Sequence, residues 1–134
     1  SIGYPDAQAE RELLAGGDRR QQLADVHPCI APAAVLAWQR RVDTVYVAPA
    51  LLDYLQLLLA ASRSSAHWET GLSPRAGLAL LRAARAWALI DGRGQVVPED
   101  VQAVFPSVAG HRLNVIDGNG AEALAELIAG VDVP

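Results

Sequence analysis

The chain has 134 residues, of which 51% are hydrophobic and 19% charged, and its formal net charge is −4. This apolar content excludes a disordered chain, and the length is enough for one domain with a buried core. The acidic balance argues against a general nucleic-acid binder, and no apolar stretch reaches the roughly 20 residues that span a bilayer. The chain contains no lysine and no methionine. Because a chain without methionine has no native start at Ser1, we expect an excised piece of a longer protein.

Proline and glycine set the limits of the predicted elements, and most predicted helices start at a proline or at a capping side chain. In chain order the elements are a helix over about Asp6–Leu14, a helix from Pro32 to about Arg41, a short strand over Val42–Val47, a helix from Pro49, a polar loop over Ser62–Gly71, a helix over Ser73–Ile90, an extended piece over Gln95–Val97, a helix from Pro98 to about Val104, an extended piece over His111–Ile116 and a helix over Ala121–Ala129. The sequence therefore predicts a mainly α fold, a small helical bundle with two or three short β-strands.

The three tryptophans are predicted to have different environments. Trp38 and Trp87 lie on predicted helices, and we expect both in the core. Trp68 lies in a polar loop, and we expect it to be half-exposed, with the marking of a contact surface as a less favoured role. The neighbouring acids Glu99 and Asp100 are expected to be helix-start charges rather than a catalytic pair.

The helix over Ser73–Ile90 carries the strongest functional signal. Ser73 is a predicted N-cap, and Pro74 is the first helical residue. Arg75 then lies in the first turn, where free backbone N–H groups and the positive helix end favour an anion. A guanidinium adds a permanent charge and a forked donor that suits phosphate.

Three arginines share one side of this helix at 100° per residue, Arg75, Arg82 and Arg85. The opposite side is apolar and consists of Leu80, Leu81, Ala83, Ala84 and Trp87. Periodicity alone favours solvated arginines, with Arg75 paired to an acid such as Glu69, over an anion site. The alternative functional interpretation is a helical interaction module that docks an acidic protein surface or nucleic acid through these arginines.

Several segments occur together in the order that is typical of one known family. They are Gly3-Tyr4-Pro5-Asp6, Asp53-Tyr54-Leu55, Gly71-Leu72-Ser73-Pro74-Arg75-Ala76, Leu80-Leu81-Arg82-Ala83-Ala84-Arg85-Ala86, Asp91-Gly92-Arg93, Val97-Pro98-Glu99-Asp100-Val101, His111-Arg112-Leu113 and Val131-Asp132-Val133-Pro134. Over nearly the whole chain this set resembles the C-terminal lid of the MoxR group of AAA+ ATPases. The resemblance implies that residues 1–134 form a single AAA+ lid-like helical domain, a C-terminal fragment of a longer ATPase whose nucleotide-binding core is absent.

The resemblance also implies a function and a set of site residues. ATP is expected between the core and the lid, with Arg75 as the sensor 2 residue that reaches the γ-phosphate, and with Ser73 and Pro74 shaping the helix start. Tyr4 and Pro5 are candidates for the adenine side of the hinge, but packing of the first helix is the favoured role for both. The implied assembly is a cytoplasmic, chaperone-like ring, usually a hexamer, whose partners are its own AAA+ core, the neighbouring subunits and a von Willebrand factor A-domain protein.

The sequence departs from the family pattern in ways that bear on stability and activity. Val97 stands where Thr or Ser is common, which removes an N-cap worth about 1 kcal/mol. The pair Ser62-Arg63 stands where Thr-Arg is common. No G-x-x-x-x-G-K-[ST] loop occurs, so we expect no catalytic residue in this chain, and ATP and Mg²⁺ only in the full-length protein.

A metal site is not expected in this chain. His27 and Cys29 have ligand-like spacing, but no second pair accompanies them, so we expect an ordinary loop histidine and a buried cysteine. Cys29 is the single cysteine, which fits a reducing compartment.

Overall fold

The fold is taken from a computed structural model that describes residues 3–16, 23 and 25–133. The helices within these residues are α1 (Ala7–Ala15), α2 (Pro32–Val42), α3 (Pro49–Ser64), α4 (Pro74–Ile90), α5 (Pro98–Ala109) and α6 (Gly120–Ala129), with a 3₁₀ turn over Gly110–Arg112. Extended structure in the same residues is limited to two isolated bridges, Tyr46 with Gln95 and Trp68 with Val115. The fold is therefore mainly α, as the sequence predicts.

The chain divides into two compact units, Ser1–Ala34 and Val35–Pro134. In the first unit, Asp6 caps α1, because its Oδ1 accepts a hydrogen bond from the Ala9 N–H at 2.8 Å. No side chain of α1 is buried. The single-domain organisation implied by the family resemblance stays a prediction.

The second unit contains the hydrophobic core. Most of its buried side chains come from four helices: Leu51, Tyr54, Leu55 and Leu58 of α3, Ala76, Leu80, Ala84 and Ala88 of α4, Val101, Val104, Phe105 and Ala109 of α5, and Ala123, Leu124 and Leu127 of α6. The connecting segments add Val45, Trp68, Leu72, Val96 and Leu113. Two large core side chains carry a polar atom. The Tyr54 hydroxyl accepts a hydrogen bond from Gln102 Nε2 at 3.1 Å, whereas the Trp68 Nε1 has no partner within the described residues. The pairing of Tyr54 matters because a buried polar group without a partner is costly.

Small residues on α4 allow its neighbours to approach closely. The buried side of α4 consists of Ala76, Gly77, Leu80, Ala84 and Ala88. A β-carbon on Gly77 would lie 2.7 Å from Leu59 Cδ1, so the first turns of α4 lie directly against α3. The buried side of α4 thus shares Leu80 and Ala84 with the predicted apolar side, but the rest of it consists of small residues.

Several element limits differ from the sequence prediction. Val42 is the last residue of α2, so the expected strand over Val42–Val47 is reduced to the bridge at Tyr46. Helix α3 continues to Ser64, into the expected loop. Helix α5 continues through Pro106 to Ala109, because the buried side chains of Phe105 and Ala109 hold its last turns on the core. The piece over His111–Ile116 begins as a 3₁₀ turn and pairs only at Val115.

The tryptophan predictions were wrong in all three cases. Trp38 and Trp87, expected in the core, are 54% and 50% exposed, whereas Trp68 is 5% exposed. Trp38 lies beside an apolar groove between α2 and the end of α4, which Val35 and Ile90 also line. Trp68 is buried because its segment pairs with Val115, a contact between distant parts of the chain.

Candidate functional site

Ser73, Pro74 and Arg75 form the start of α4, as the sequence predicts. Ser73 is extended (φ −77°, ψ 161°), and its Oγ accepts a hydrogen bond from the Ala76 N–H at 3.2 Å. Pro74 is the first helical residue, where a missing N–H leaves no partner unsatisfied. These local interactions fix the helix start and therefore the direction in which Arg75 leaves it.

Arg75 is exposed in the first turn of α4. That turn contains no acidic side chain, and none of the ion pairs within the described residues involves Arg75. Glu69, the acid that the sequence offers as a partner, accepts a long hydrogen bond from Asn114 Nδ2 instead, at 3.5 Å. The guanidinium adds to the positive helix end with no counter-charge in this turn, an arrangement that suits an external anion.

The segment just before this site is held by side chains from the last turns of α3. Ser62 Oγ accepts a hydrogen bond from the Leu72 N–H at 3.0 Å and donates one to the Leu59 carbonyl at 2.7 Å. Arg63 Nε donates to the Leu72 carbonyl at 2.9 Å. No local pattern predicts these roles of Ser62 and Arg63, since a contact across nine or ten residues leaves no periodic signal in the sequence.

The arginines that share one side of α4 by sequence differ in their exposure. Arg75 and Arg82 are exposed, whereas Arg85 is half-buried and its Nε has no hydrogen-bond partner within the described part of the chain. A continuous basic surface of all three arginines is therefore not formed on this helix. The interaction-module interpretation gains no support from this arrangement.

Tyr4 and Pro5, the candidate adenine-side residues, belong to the first unit. Tyr4 is fully exposed and Pro5 is exposed too. Their role in adenine binding stays a prediction.

His27 and Cys29 were considered as half of a metal site. Both residues are exposed, so the expectation of a buried cysteine was wrong. Within residues 3–16, 23 and 25–133, no group of three His, Cys, Asp or Glu side chains could hold a metal ion. In the same residues, no helix is both long enough and apolar enough to cross a bilayer.

Arg93, which follows α4, forms a partly buried ion pair with Asp100 at the start of α5, and only the Asp100 side chain is fully buried. Arg93 Nη1 and Nη2 donate to the two Asp100 oxygens at 2.6 and 2.5 Å, and the Val97 N–H donates to Oδ2 at 2.9 Å. Burial alone would raise the pKa of Asp100, but the hydrogen bonds from Arg93 and Val97 outweigh it and lower this pKa. The hydrogen bond to Asp100, and next that to Asp91, raises the pKa of Arg93.

The comparison with known families identifies the fold. The AAA lid domain family matches residues 60–129, from the end of α3 to the end of α6. The chain belongs to the AAA lid domain family. The expected resemblance to the lid of a MoxR-type AAA+ ATPase is confirmed by these matched residues and by the relatives that share them.

Two relatives of this lid and one solved structure with the same fold illustrate the match. The uncharacterized protein YeaC of Bacillus subtilis is 30% identical over 99% of the chain and 43% of its own length. Chaperone MoxR1 of Mycobacterium tuberculosis is 33% identical over 84% of the chain and 32% of its own length. In structure, a protein of Cytophaga hutchinsonii described as a candidate ATPase matches 99% of the lid and 45% of its own chain, with a TM-score of 0.79 and 21% identity. The lid thus spans less than half the length of these proteins.

Proposed function

We propose that this lid senses the nucleotide state of a MoxR-type AAA+ ATPase through Arg75, acting as sensor 2. The observation that carries the proposal is the exposed Arg75 in the first turn of α4, with no acid in that turn. Ser73 and Pro74 shape this helix start. In this proposal the lid is the C-terminal part of a longer chain whose core binds ATP and Mg²⁺.

The mechanism follows from the charge that Arg75 meets in each nucleotide state. Its forked N–H groups are suited to the oxygens of a terminal phosphate, and the α4 N–H groups add to the attraction. An arginine that is already exposed binds such an anion at a lower free-energy cost than an arginine that must first break an ion pair with an internal carboxylate. ATP offers the γ-phosphate and ADP does not, so Arg75 gains more free energy in the ATP state, and this difference biases the lid angle.

The wider assembly is also part of the proposal. Tyr4 and Pro5 lie on the adenine side of the hinge between core and lid. The full protein acts in the cytoplasm as a chaperone-like ring, a hexamer, that works with a von Willebrand factor A-domain partner. The support is the family membership and the relative named Chaperone MoxR1.

The test is the substitution Arg75→Ala in the full-length ATPase. We expect the affinity for ATP relative to ADP to fall about tenfold, the equivalent of one charge-assisted hydrogen bond of about 1.4 kcal/mol. ATP hydrolysis should fall with it. Nucleotide affinities are measured by calorimetry and hydrolysis by phosphate release.

Arg82→Ala is the matched control, because Arg82 is exposed on the same side of the same helix, seven residues further along. It should leave both quantities unchanged. An unchanged preference for ATP in the Arg75→Ala protein would overturn the sensor 2 assignment. Equal losses in both variants would point to a general effect of positive charge instead.

A further inference from the structure

Leu72 is held on both sides of its backbone by two consecutive residues of α3. Its N–H donates to Ser62 Oγ at 3.0 Å, and its carbonyl accepts from Arg63 Nε at 2.9 Å. Leu72 is itself buried, with 1% of its surface exposed. The residue three positions before Arg75 therefore has its side chain and both of its backbone polar groups fixed.

The Ser62 hydroxyl acts as both donor and acceptor in these contacts. It donates to the Leu59 carbonyl at 2.7 Å while accepting from Leu72. Ser62 is 1% exposed, and within the described residues it is one of only two buried polar or charged side chains. A buried hydroxyl with both bonds satisfied holds its neighbours at one distance, since a shift would leave a polar group without a partner.

The close approach at Gly71 completes this arrangement. A β-carbon there would lie 2.5 Å from Arg63 Cα and 2.7 Å from Arg63 N. These are backbone atoms, which cannot rotate away as a side chain does. The chain before α4 therefore lies directly on the last turns of α3, and Gly77 continues the contact on Leu59 within α4.

We propose that Ser62 and Arg63 are positioning residues for Arg75, an inference that rests on the proposed sensor 2 function. Their bonds fix Leu72, and only the capped Ser73 and the rigid Pro74 lie between Leu72 and Arg75. A small rotation at Leu72 is therefore passed on to the first turn of α4 and to the backbone of Arg75. Loosening Leu72 spreads Arg75 over more directions and raises the entropy lost when it binds the terminal phosphate.

The experiment compares Ser62→Ala with Ser64→Ala in the full-length ATPase. Ser64 is the matched control, because its Oγ bonds only to the carbonyls of Ala60 and Ala61 in its own helix. We expect Ser62→Ala to lower the affinity for ATP relative to ADP on the order of threefold to tenfold. Hydrogen exchange at the Leu72 amide should become faster in Ser62→Ala and stay unchanged in Ser64→Ala.

A double variant with both Ser62→Ala and Arg75→Ala shows whether Ser62 positions Arg75 or has only a general structural role. If Ser62 acts through Arg75, Ser62→Ala has no further effect on the ATP preference once Arg75 is alanine. The same loss in both backgrounds would overturn the inference. So would an unchanged preference in Ser62→Ala alongside a clear loss in Arg75→Ala, which would leave the proposed function standing.

Arg63→Met is the second variant if Ser62→Ala fails to fold. Arg63 is exposed, and methionine keeps most of its aliphatic stem while removing the Nε donor. We expect a smaller loss of ATP preference in the same direction, which Arg75→Ala again abolishes. No change in this variant would also overturn the inference, and no effect of Arg75→Ala itself would overturn the proposed function.

Discussion

Two effects act in opposite directions on the pKa of Asp100. Burial favours the neutral carboxyl group, whereas the hydrogen bonds favour the charged carboxylate and together are the stronger effect. The carboxylate is 1% exposed as a residue, but it accepts hydrogen bonds from Arg93 and from the Val97 N–H. These contacts favour the charged form, so the pKa lies below the usual value of 3.8. A carboxyl whose pKa is lower in the folded state stabilises the fold above its unfolded pKa. That stabilisation is lost as the pH falls through the folded pKa.

Asp100→Asn is therefore expected to lower the free energy of unfolding in a pH-dependent way. The loss should be about 2 kcal/mol near neutral pH, because Arg93 loses a charged partner. The difference from the wild type should stay constant down to about pH 4 and shrink below it. Urea unfolding between pH 7 and pH 2 measures this difference.

Asp91→Asn is the control for this prediction, since Asp91 contacts the same Arg93 at 3.0 Å but its side chain is 68% exposed. Exposed ion pairs contribute little, so we expect only a small change in unfolding free energy. A difference between wild type and Asp100→Asn that persists at pH 2 would show that the ion pair is not the source of the stabilisation.

At the scale of the helices, the starts were predicted well, and so were the ends of α4 at Ile90 and of α6 at Ala129, but the end of α5 was not. Helices α3, α4 and α5 begin at Pro49, Pro74 and Pro98 as expected, because proline and capping side chains act through neighbouring residues alone. The end of α5 lies beyond Pro106. That end depends on the packing of Phe105 and Ala109 against other helices, which no local pattern contains.

The start of α5 lacks a capping side chain, and Val97→Thr should supply one. Val97 has extended backbone angles (φ −114°, ψ 161°), and its side chain offers no acceptor. A threonine hydroxyl there can accept from the Asp100 N–H, which adds about 1 kcal/mol and raises the Tm by about 4 °C. Thermal unfolding followed by circular dichroism measures the gain.

Val97→Ala is the control for the cap, because it removes the methyl group that threonine replaces, together with the other one, and adds no acceptor. Its Tm should not rise. If Val97→Thr melts no higher than the wild type, the existing bond from the Val97 N–H to Asp100 already supplies what the cap would add.

At the scale of the whole molecule, the sequence predicts the residues of the site itself but not the distant contacts that hold them in place. Ser73, Pro74 and Arg75 follow from capping rules and from the family resemblance. Ser62 acts on Leu72 across ten residues, so its role depends on how α3 meets the start of α4. The burial of Trp68 has the same origin, since it pairs with Val115 far along the chain.

The location of the core leads to a prediction about the smallest folded piece. Every buried residue in the described part of the chain lies between Val42 and Leu127, and no side chain of α1 is buried. A chain of residues 32–134, which keeps α2 intact, should therefore unfold in one cooperative transition. Its Tm should lie within about 3 °C of that of the 134-residue chain.

Thermal unfolding and near-ultraviolet circular dichroism test this piece, with Trp68 as the buried reporter. A chain shortened further, to residues 44–134, is the comparison, because it removes α2 and with it the buried Val42. This shorter chain should melt at a lower temperature. A broad, non-cooperative transition in residues 32–134 would contradict this prediction. It rests on the exposure of nearly all the described residues before Pro32, since exposed apolar residues contribute little to the free energy of folding.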